Sequence, residues 1–409
     1  MVRLIWGTYV SLVNAFVHIF VTRREKGVSA MFLHKAYKFR IYPNKEQSIL
    51  ISKTIGCARF VYNYFLHLWN EAYLKTEKGL SYHSCSAMLP KMKKDEATFW
   101  LKEVDSIALQ SSLKNLANSF SRFFTKQNSK PQFKRKNNPV QSYTTQFTNN
   151  NIVISNKHIK LPKLGFVKFA KSCDVKGRII NATIRKNVSG KFFISILCEE
   201  EMQVLPDVNS NIGIDLGIPD FAVLSDGHKI DNNKFTSKME KKLKREQRKL
   251  SRRALHAKEK GINLRDAKNY QKQKRKVARL HEKVANQRND FLNKLSTEII
   301  KSHDIICIED LNTKGMLRNH KLAKAISNVS WSSFVTKLQY KADWYGRKVI
   351  KVDRWFPSSQ ICSNCNHKDG KKSLDIRKWT CPGCHTSHER DVNASKNILS
   401  EGLRLYALL

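Results

Sequence analysis

A chain of 409 residues, 41% hydrophobic and 10% aromatic, has room for two or three domains with cores of their own and is not globally disordered. Its 75 Lys and Arg against 34 Asp and Glu give a net charge of +41, far more than solubility requires. The excess recurs in every segment after Arg40. That argues against a membrane-surface protein, whose charge would sit on one amphipathic helix or tail, and for a large polyanion, nucleic acid, as partner.

The first thirty residues differ in kind. An apolar run from Leu4 to Val21 precedes Arg23, Arg24 and Lys26, in the manner of a signal anchor. Against an anchor, Asn14 and His18 interrupt the run and its length is marginal for a span. Residues 1–30 are therefore expected to be upstream sequence or a mis-called start ahead of a working start at Met31, with an amphipathic surface helix as the alternative. The expected location is the cytoplasm, with the nucleoid, and no membrane partner.

Phe32 to Tyr42 has strand composition and stops at the turn Pro43-Asn44. Helices follow. Ile51, Ile55, Ala58, Tyr62, Phe65 and Trp69 recur at helical steps, as do Leu109, Leu113, Leu116, Phe120 and Phe123, so 45–127 reads as a helical unit packed along these stripes. Beyond the basic loop "KPQFKRKNN", the short strands "NIVISN", "HIKLP", "GFVKFA", "RIINATIRK" and "KFFISILCEE" suggest a β-barrel-like unit, opened by the first strand and split by the helical insertion.

A new pattern begins after Pro206. "NIGIDLGIPDFAVLSDGHKI" reads as strand, tight turn, strand, then a hairpin turn at Asp226-Gly227 into a third strand. Lys234 to Lys301 is long, basic and helical, broken near Gly261-Ile262-Asn263, hence an α-helical hairpin whose charge calls for a nucleic-acid partner. "HDIICIEDL" is an apolar strand, followed by a helix from Trp331 to Tyr345 and the strand "KVIKVD".

The strongest local signal comes next. Cys362, Cys365, Cys381 and Cys384 form CxxC-x15-CxxC, two knuckles able to close a tetrahedral thiolate shell around structural zinc. A closed shell leaves no open position for substrate, so the metal here folds the loop. Cys57, Cys85, Cys173, Cys198 and Cys307 lack metal spacing and read as buried or incidental thiols without a disulfide framework.

Three acids stand out. Asp215 interrupts an apolar strand, Glu309 ends another, and Asp391 opens the final helix. Singly, each has a plainer reading: a turn for Asp215, pairing with Lys314 for Glu309, a helix cap for Asp391. Together, in the order strand, strand, helix, they match a ribonuclease-H-like site in which carboxylates hold two divalent cations for phosphodiester hydrolysis.

"GIDLG", "CIEDL" and "RDVNASKNI" resemble the three RuvC motifs of the TnpB family of transposon-encoded RNA-guided nucleases, related to compact type V CRISPR effectors. The four-cysteine loop sits where that family carries its zinc ribbon. "HKAYKFRIYPNKEQ", "ARFVYNYFL", "LKNLANSFSRFF", "PQFKRK", "NQRNDFLNKLST" and "RWFPSSQICSNC" are similar to the family in the same order, from about Met31 to Leu409. The resemblance implies an α/β multidomain protein. A split β-barrel wedge domain is expected at 31–44 and 128–205, with a helical recognition domain at 45–127. An RNase H-like RuvC nuclease domain is expected at 206–409, with its basic hairpin at 234–301 and its zinc ribbon at 358–388.

It further implies Asp215, Glu309 and Asp391 as catalytic acids holding Mg2+ or Mn2+, and the four cysteines as zinc ligands. A guide RNA from the transposon end would direct cleavage of double-stranded target DNA beside a short flanking motif, with the protein a monomer on one RNA. Nucleic-acid contacts are expected at Lys134, Arg135, Lys136, Lys244, Arg245, Arg248, Arg252, Arg253 and Arg288. Two rival readings remain: a transposase acting directly on DNA ends, and a catalytically silent RNA-guided binder. The order Asp, Glu, Asp disfavours the first and the presence of all three acids disfavours the second.

Overall fold

The computed structural model describes residues 21–25, 28–202, 204–373 and 375–409. The apolar run beginning at Leu4 lies outside them up to residue 20, and no helix among the described residues is long and apolar enough to cross a membrane. The chain divides into two compact units, one ending at Glu201 and one running from Met202 to Leu409.

In the first unit β1 (Val21–Glu25) and β2 (Val28–Tyr42) form a hairpin, so the strand expected from Phe32 starts earlier. Asn44 stops it and caps α1 (Lys45–Thr76): its side chain accepts the Gln47 N–H at 2.7 Å while the Gln47 side chain accepts the Asn44 N–H at 3.1 Å. Helices α2 (Tyr82–Lys94) and α3 (Ser106–Phe124) complete the helical layer. Both sequence stripes turn inward, with Trp69 stacked on Phe120 at a centroid distance of 4.5 Å.

Six strands follow: β3 (Gln141–Gln146), β4 (Val153–Ile154), β5 (His158–Leu161), β6 (Gly165–Phe169), β7 (Arg178–Lys186) and β8 (Phe192–Glu201). The sheet order is β3-β7-β8-β2-β6-β5-β4, with β1 paired to β2. β2 therefore lies at the centre, against β8 from Phe32 to Ile41 and against β6 at Ile41 and Tyr42, although three helices separate it from them in sequence. Among the described residues the pairings run as an open path from β3 to β4, where the sequence suggests a barrel. β3 is a strand the sequence hides. Its composition is polar, yet Tyr143 and Thr145 point into the core while Thr144 meets Thr183 across the strands at 2.8 Å.

The second unit begins with β9 (Asn211–Asp215), β10 (Asp220–Leu224) and β11 (Lys229–Asp231), then the hairpin α4 (Phe235–Glu259) and α5 (Lys268–Ser302). Next come β12 (Ile305–Glu309), the short α6 (Thr313–Met316) and α7 (Ala323–Val329), then α8 (Trp331–Tyr345) and β13 (Lys348–Val352). The ribbon strands β14 (Lys378–Thr380) and β15 (Ser387–Glu389) lead into α9 (Arg390–Tyr406). The central sheet has the order β11-β10-β9-β12-β13, with β9, β12 and β13 parallel.

Alternation along the strands sorts the two faces. Ile212, Ile214, Ile306 and Ile308 pack with Leu292, Phe334 and Leu338 of α5 and α8. Cys307 faces the other way, with Ile398 of α9. Helix α9 lies unusually close to this second face. A Cβ on Gly213 would collide with the Ser395 carbonyl oxygen and Leu399, and one on Gly402 would collide with the Cys307 side chain. Gly213→Ala is therefore expected to destabilise the protein by about 1–3 kcal/mol and to depress activity by lifting α9. Gly56→Ala, at a helical site with nothing within 4 Å, should be neutral or stabilising. Denaturant midpoints of the two variants check the contrast.

Candidate nuclease site and cysteine cluster

Ile214 of β9 pairs with Ile308 of β12, so Asp215 and Glu309, each the next residue, emerge side by side at the carboxyl ends of neighbouring parallel strands. Adjacent strands lie about 4.8 Å apart. Helix α9, drawn down onto β9 and β12 through the two glycines, sets Asp391 in its first turn at the same edge. The three acids proposed from sequence are thus neighbours. Burial pushes the Asp215 carboxyl up to about 7, with the negative charges of Glu309 and Asp391 adding to it, while Arg390 and the Leu216 N–H pull the other way. Burial also raises Glu309.

Among the described residues neither Asp215 nor Glu309 takes an ion pair, whereas Asp391 meets the Arg377 guanidinium at 3.1 Å. A cap is not what occupies Asp391: the N-cap position belongs to Glu389, whose carboxylate pairs with Lys229 of β11. Two half-buried carboxylates without an ion-pair partner, both raised by burial and one of them also by the charges of its neighbours, are a donor set suited to hard divalent cations.

All nine cysteines are free thiols. The Sγ atoms of Cys362, Cys365, Cys381 and Cys384 lie within 4.8 Å of one another, a set that fits zinc. Each knuckle closes alike: Asn366 N–H donates to the Cys362 carbonyl and His385 N–H to the Cys381 carbonyl, both at 2.9 Å. Ser363-Asn364 and Pro382-Gly383 lie in the two turns, and Asn366 and His385, just beyond each CxxC, take left-handed φ of 62° and 57°. His388 Nε2 supports Cys362 Sγ at 3.0 Å.

The cluster is fastened to the helix that carries Asp391. The Asn393 amide donates to the Ile361 carbonyl at 2.7 Å and accepts the Ser363 N–H at 2.8 Å; Asn397 donates to the Ser358 and Ile361 carbonyls at 2.7 Å. Arg377, between the knuckles, reaches Asp391 from the same loop. Arg377, Asn393 and Asn397 were not candidates from sequence, because nothing in spacing or composition marks them.

The basic candidates separate into several roles. Lys134, exposed as a residue, is held by Asn63 through both backbone groups, and its ammonium lies 3.8 Å from the centre of the Tyr62 ring, where the surrounding protein lowers it to about 8 by displacing water. Arg135, Lys136, Arg248 and Arg252 are exposed. Lys244 pairs with Glu240 at 2.9 Å and Arg245 lies 3.7 Å from Glu246. Arg288 turns inward, its two terminal nitrogens donating to Ser330 and Thr236 at 3.2 and 3.1 Å.

Arg253 lines a cleft of about 680 Å³ between α4 and α5, together with Asn269, Lys272, Gln273, Arg275, Lys276 and Arg279. Buried Gln273 donates to Glu246 at 2.8 Å and fixes the floor. Five cations line this hollow, one of which, Lys276, pairs with Glu246 at 3.2 Å.

A likeness to known proteins follows these features closely. Over 90% of its length this chain is similar in fold to a Cas12f1 solved in a Cas12f1–sgRNA–target DNA complex: the TM-score is 0.58, the match spans 98% of that chain, and the identity is 13%. Family models match residues 195–320 ("Probable transposase"), 331–398 ("Cas12f1-like, TNB domain") and 31–78 ("Helix-turn-helix domain"), the last of which is here β2 followed by one long helix. A Streptomyces pristinaespiralis protein named "Putative RNA-guided DNA endonuclease" is 36% identical over 90% of this chain and 89% of its own length. InsQ of Escherichia coli K12, which carries the same description, is 33% identical over 90% and 92%. The chain belongs to the TnpB family of transposon-encoded RNA-guided DNA endonucleases.

Proposed function

We propose that this chain uses a guide RNA from its own mobile element to select double-stranded DNA beside a short flanking motif, and hydrolyses its phosphodiester bonds at Asp215, Glu309 and Asp391. The observation that carries the reading is the meeting of three acids at one sheet edge, with Asp215 pushed up to about 7 by burial and by the charges of Glu309 and Asp391. These residues would hold Mg2+ or Mn2+, which when bound supplies water activation and stabilises the leaving oxygen. Asp215 must shed its proton for that role, and the Arg390 charge nearby favours the loss. Arg377 orients the Asp391 carboxylate and ties it to the ribbon.

In this reading the 206–409 unit is an RNase H-like RuvC domain. The eight-stranded sheet, with 31–44 and 128–205 interleaved, is its wedge, and the helices of 45–127 form the recognition domain. Support comes from β2 pairing with both β6 and β8. The α4–α5 cleft takes the RNA or heteroduplex backbone. Reversing two of its charges, Lys272→Glu with Arg275→Glu, should weaken RNA binding uniformly and flatten its logarithmic salt dependence by roughly 1.5, read by filter binding across a salt series.

The deciding experiment is to purify the chain from cells carrying its native locus and sequence the RNA that stays bound. A dominant species from the element's end, with a variable 3′ segment matching flanking DNA, is the expected result. Bulk RNA, or DNA alone, would move the assignment to an enzyme acting directly on DNA ends.

A further inference from the structure

We infer that Trp355 is a stacking platform for an unpaired nucleobase of the DNA strand entering the carboxylate site, an inference that rests on the nuclease reading above. Its indole is 84% exposed, an apolar surface of a size that folding normally removes from water. The segment bearing it is nevertheless fixed on both sides. Asp353 Oδ1 accepts the Trp355 N–H at 2.8 Å, and the Phe356 N–H donates to the Asp353 carbonyl at 3.0 Å. Arg354 pairs with Asp310 at 2.8 Å, while Phe356 packs against the small core of Cys307, Val352 and Ile398. A side chain presented from so constrained a loop loses little further freedom when something stacks on it.

Its position selects the occupant. Val352 is the register partner of Glu309, and the Asp310 N–H donates to the Val352 carbonyl at 2.9 Å. Three residues of chain, at most about 11 Å, separate Val352 from Trp355. The indole therefore stands at the same edge of the sheet as the acids. Nucleobases offer a flat π-face of matching size, and stacking on an aromatic side chain tolerates any sequence, as a guided enzyme requires. In a duplex those faces are covered by neighbouring bases, so only an unpaired strand can use the platform. Trp355 thus positions the strand and is not itself catalytic.

The test uses the full chain with its bound RNA in buffer free of Mg2+ and Mn2+ but without chelator, so that no cleavage intervenes while the cysteine cluster keeps its zinc, and a short single-stranded oligodeoxynucleotide carrying one 5-iodouracil. Irradiation should attach the uracil to Trp355, located by mass spectrometry of the tryptic peptide beginning at that residue. Trp355→Ala should lose this adduct and weaken binding of the oligonucleotide about five- to a hundredfold, with Trp355→Phe retaining most of the affinity. Binding of an abasic strand of equal length should be unchanged in both variants. Unaltered oligonucleotide affinity in Trp355→Ala, or an equal loss on the abasic strand, overturns the proposal. Because no step requires cleavage, failure here is separable from failure of Asp215→Asn to abolish it.

Discussion

Asp215→Asn is expected to abolish DNA cleavage, by at least about a thousandfold, while making the metal-free protein more stable at neutral and alkaline pH. The reason is linkage. Asp215 has an ordinary value of 3.8 and stands near 7 in the folded chain, first through burial and then through Glu309 and Asp391. Between those values the folded state holds a proton that the unfolded state has released. Stability of the metal-free chain therefore falls as pH rises from about 4 to about 7 and then levels off. Asparagine removes the charge and the penalty with it, a gain on the order of 2–4 kcal/mol at pH 8. The wild type recovers that cost only by binding a cation, so Mg2+ should raise its melting temperature, more strongly as pH climbs through 7, and should leave Asp215→Asn almost unmoved. Thermal scans with and without Mg2+ at pH 6 and pH 8 read both effects. A destabilised Asn variant together with an Mg2+-insensitive wild type would make Asp215 a structural residue. RNA retention should be the same in both proteins, since Asp215 is not among the residues that line the basic cleft.

What could be read in advance follows the range of the interactions concerned. The cysteine set was legible because a knuckle is local chemistry, complete within CxxC, and the acids because a carboxylate ending an apolar strand is conspicuous within five residues. The helical stripes at Ile51 to Trp69 and Leu109 to Phe120 were legible for the same reason, and both are buried. Features made by pairing distant segments were not. That β9 lies beside β12 in the register bringing Asp215 next to Glu309 is a property of the sheet. Arg377 becomes a partner of Asp391 only because the ribbon folds back on α9, and the cleft exists only where Arg253 of α4 faces Lys272 and Arg275 of α5. Charge counting also misjudges direction. Lys134 and Arg288 look like any other surface cation in the sequence, yet one lies over Tyr62 and the other spans Thr236 and Ser330.

Cys381→Ser is expected to remove stoichiometric zinc and, with it, cleavage, although no cysteine touches the acids in the proposed chemistry. Cys381 is fully buried, its sulfur 3.6 Å from that of Cys365, and a serine hydroxyl cannot replace a thiolate donor there. Structural zinc contributes about 10–16 kcal/mol to small domains that fold around it. The ribbon's own core is little more than Cys362, Trp379 and Cys381, far too small to persist without the ion. Its loss should travel by two routes. The first knuckle would release Asn393 and Asn397, which hold the start of α9, and the second would carry away Arg377, which orients Asp391. Hydrogen exchange should therefore rise across residues 361–386 and the first turns of α9, while the unit ending at Glu201 keeps its protection. Chelation of the wild type should reproduce the same pattern, and added zinc should reverse it in the wild type but not in the variant. If zinc content and melting are unaltered in Cys381→Ser, the cluster is not a metal site. If zinc is lost while cleavage survives, α9 is held by its glycine contacts with β9 and β12 alone, and Arg377 is dispensable for placing Asp391.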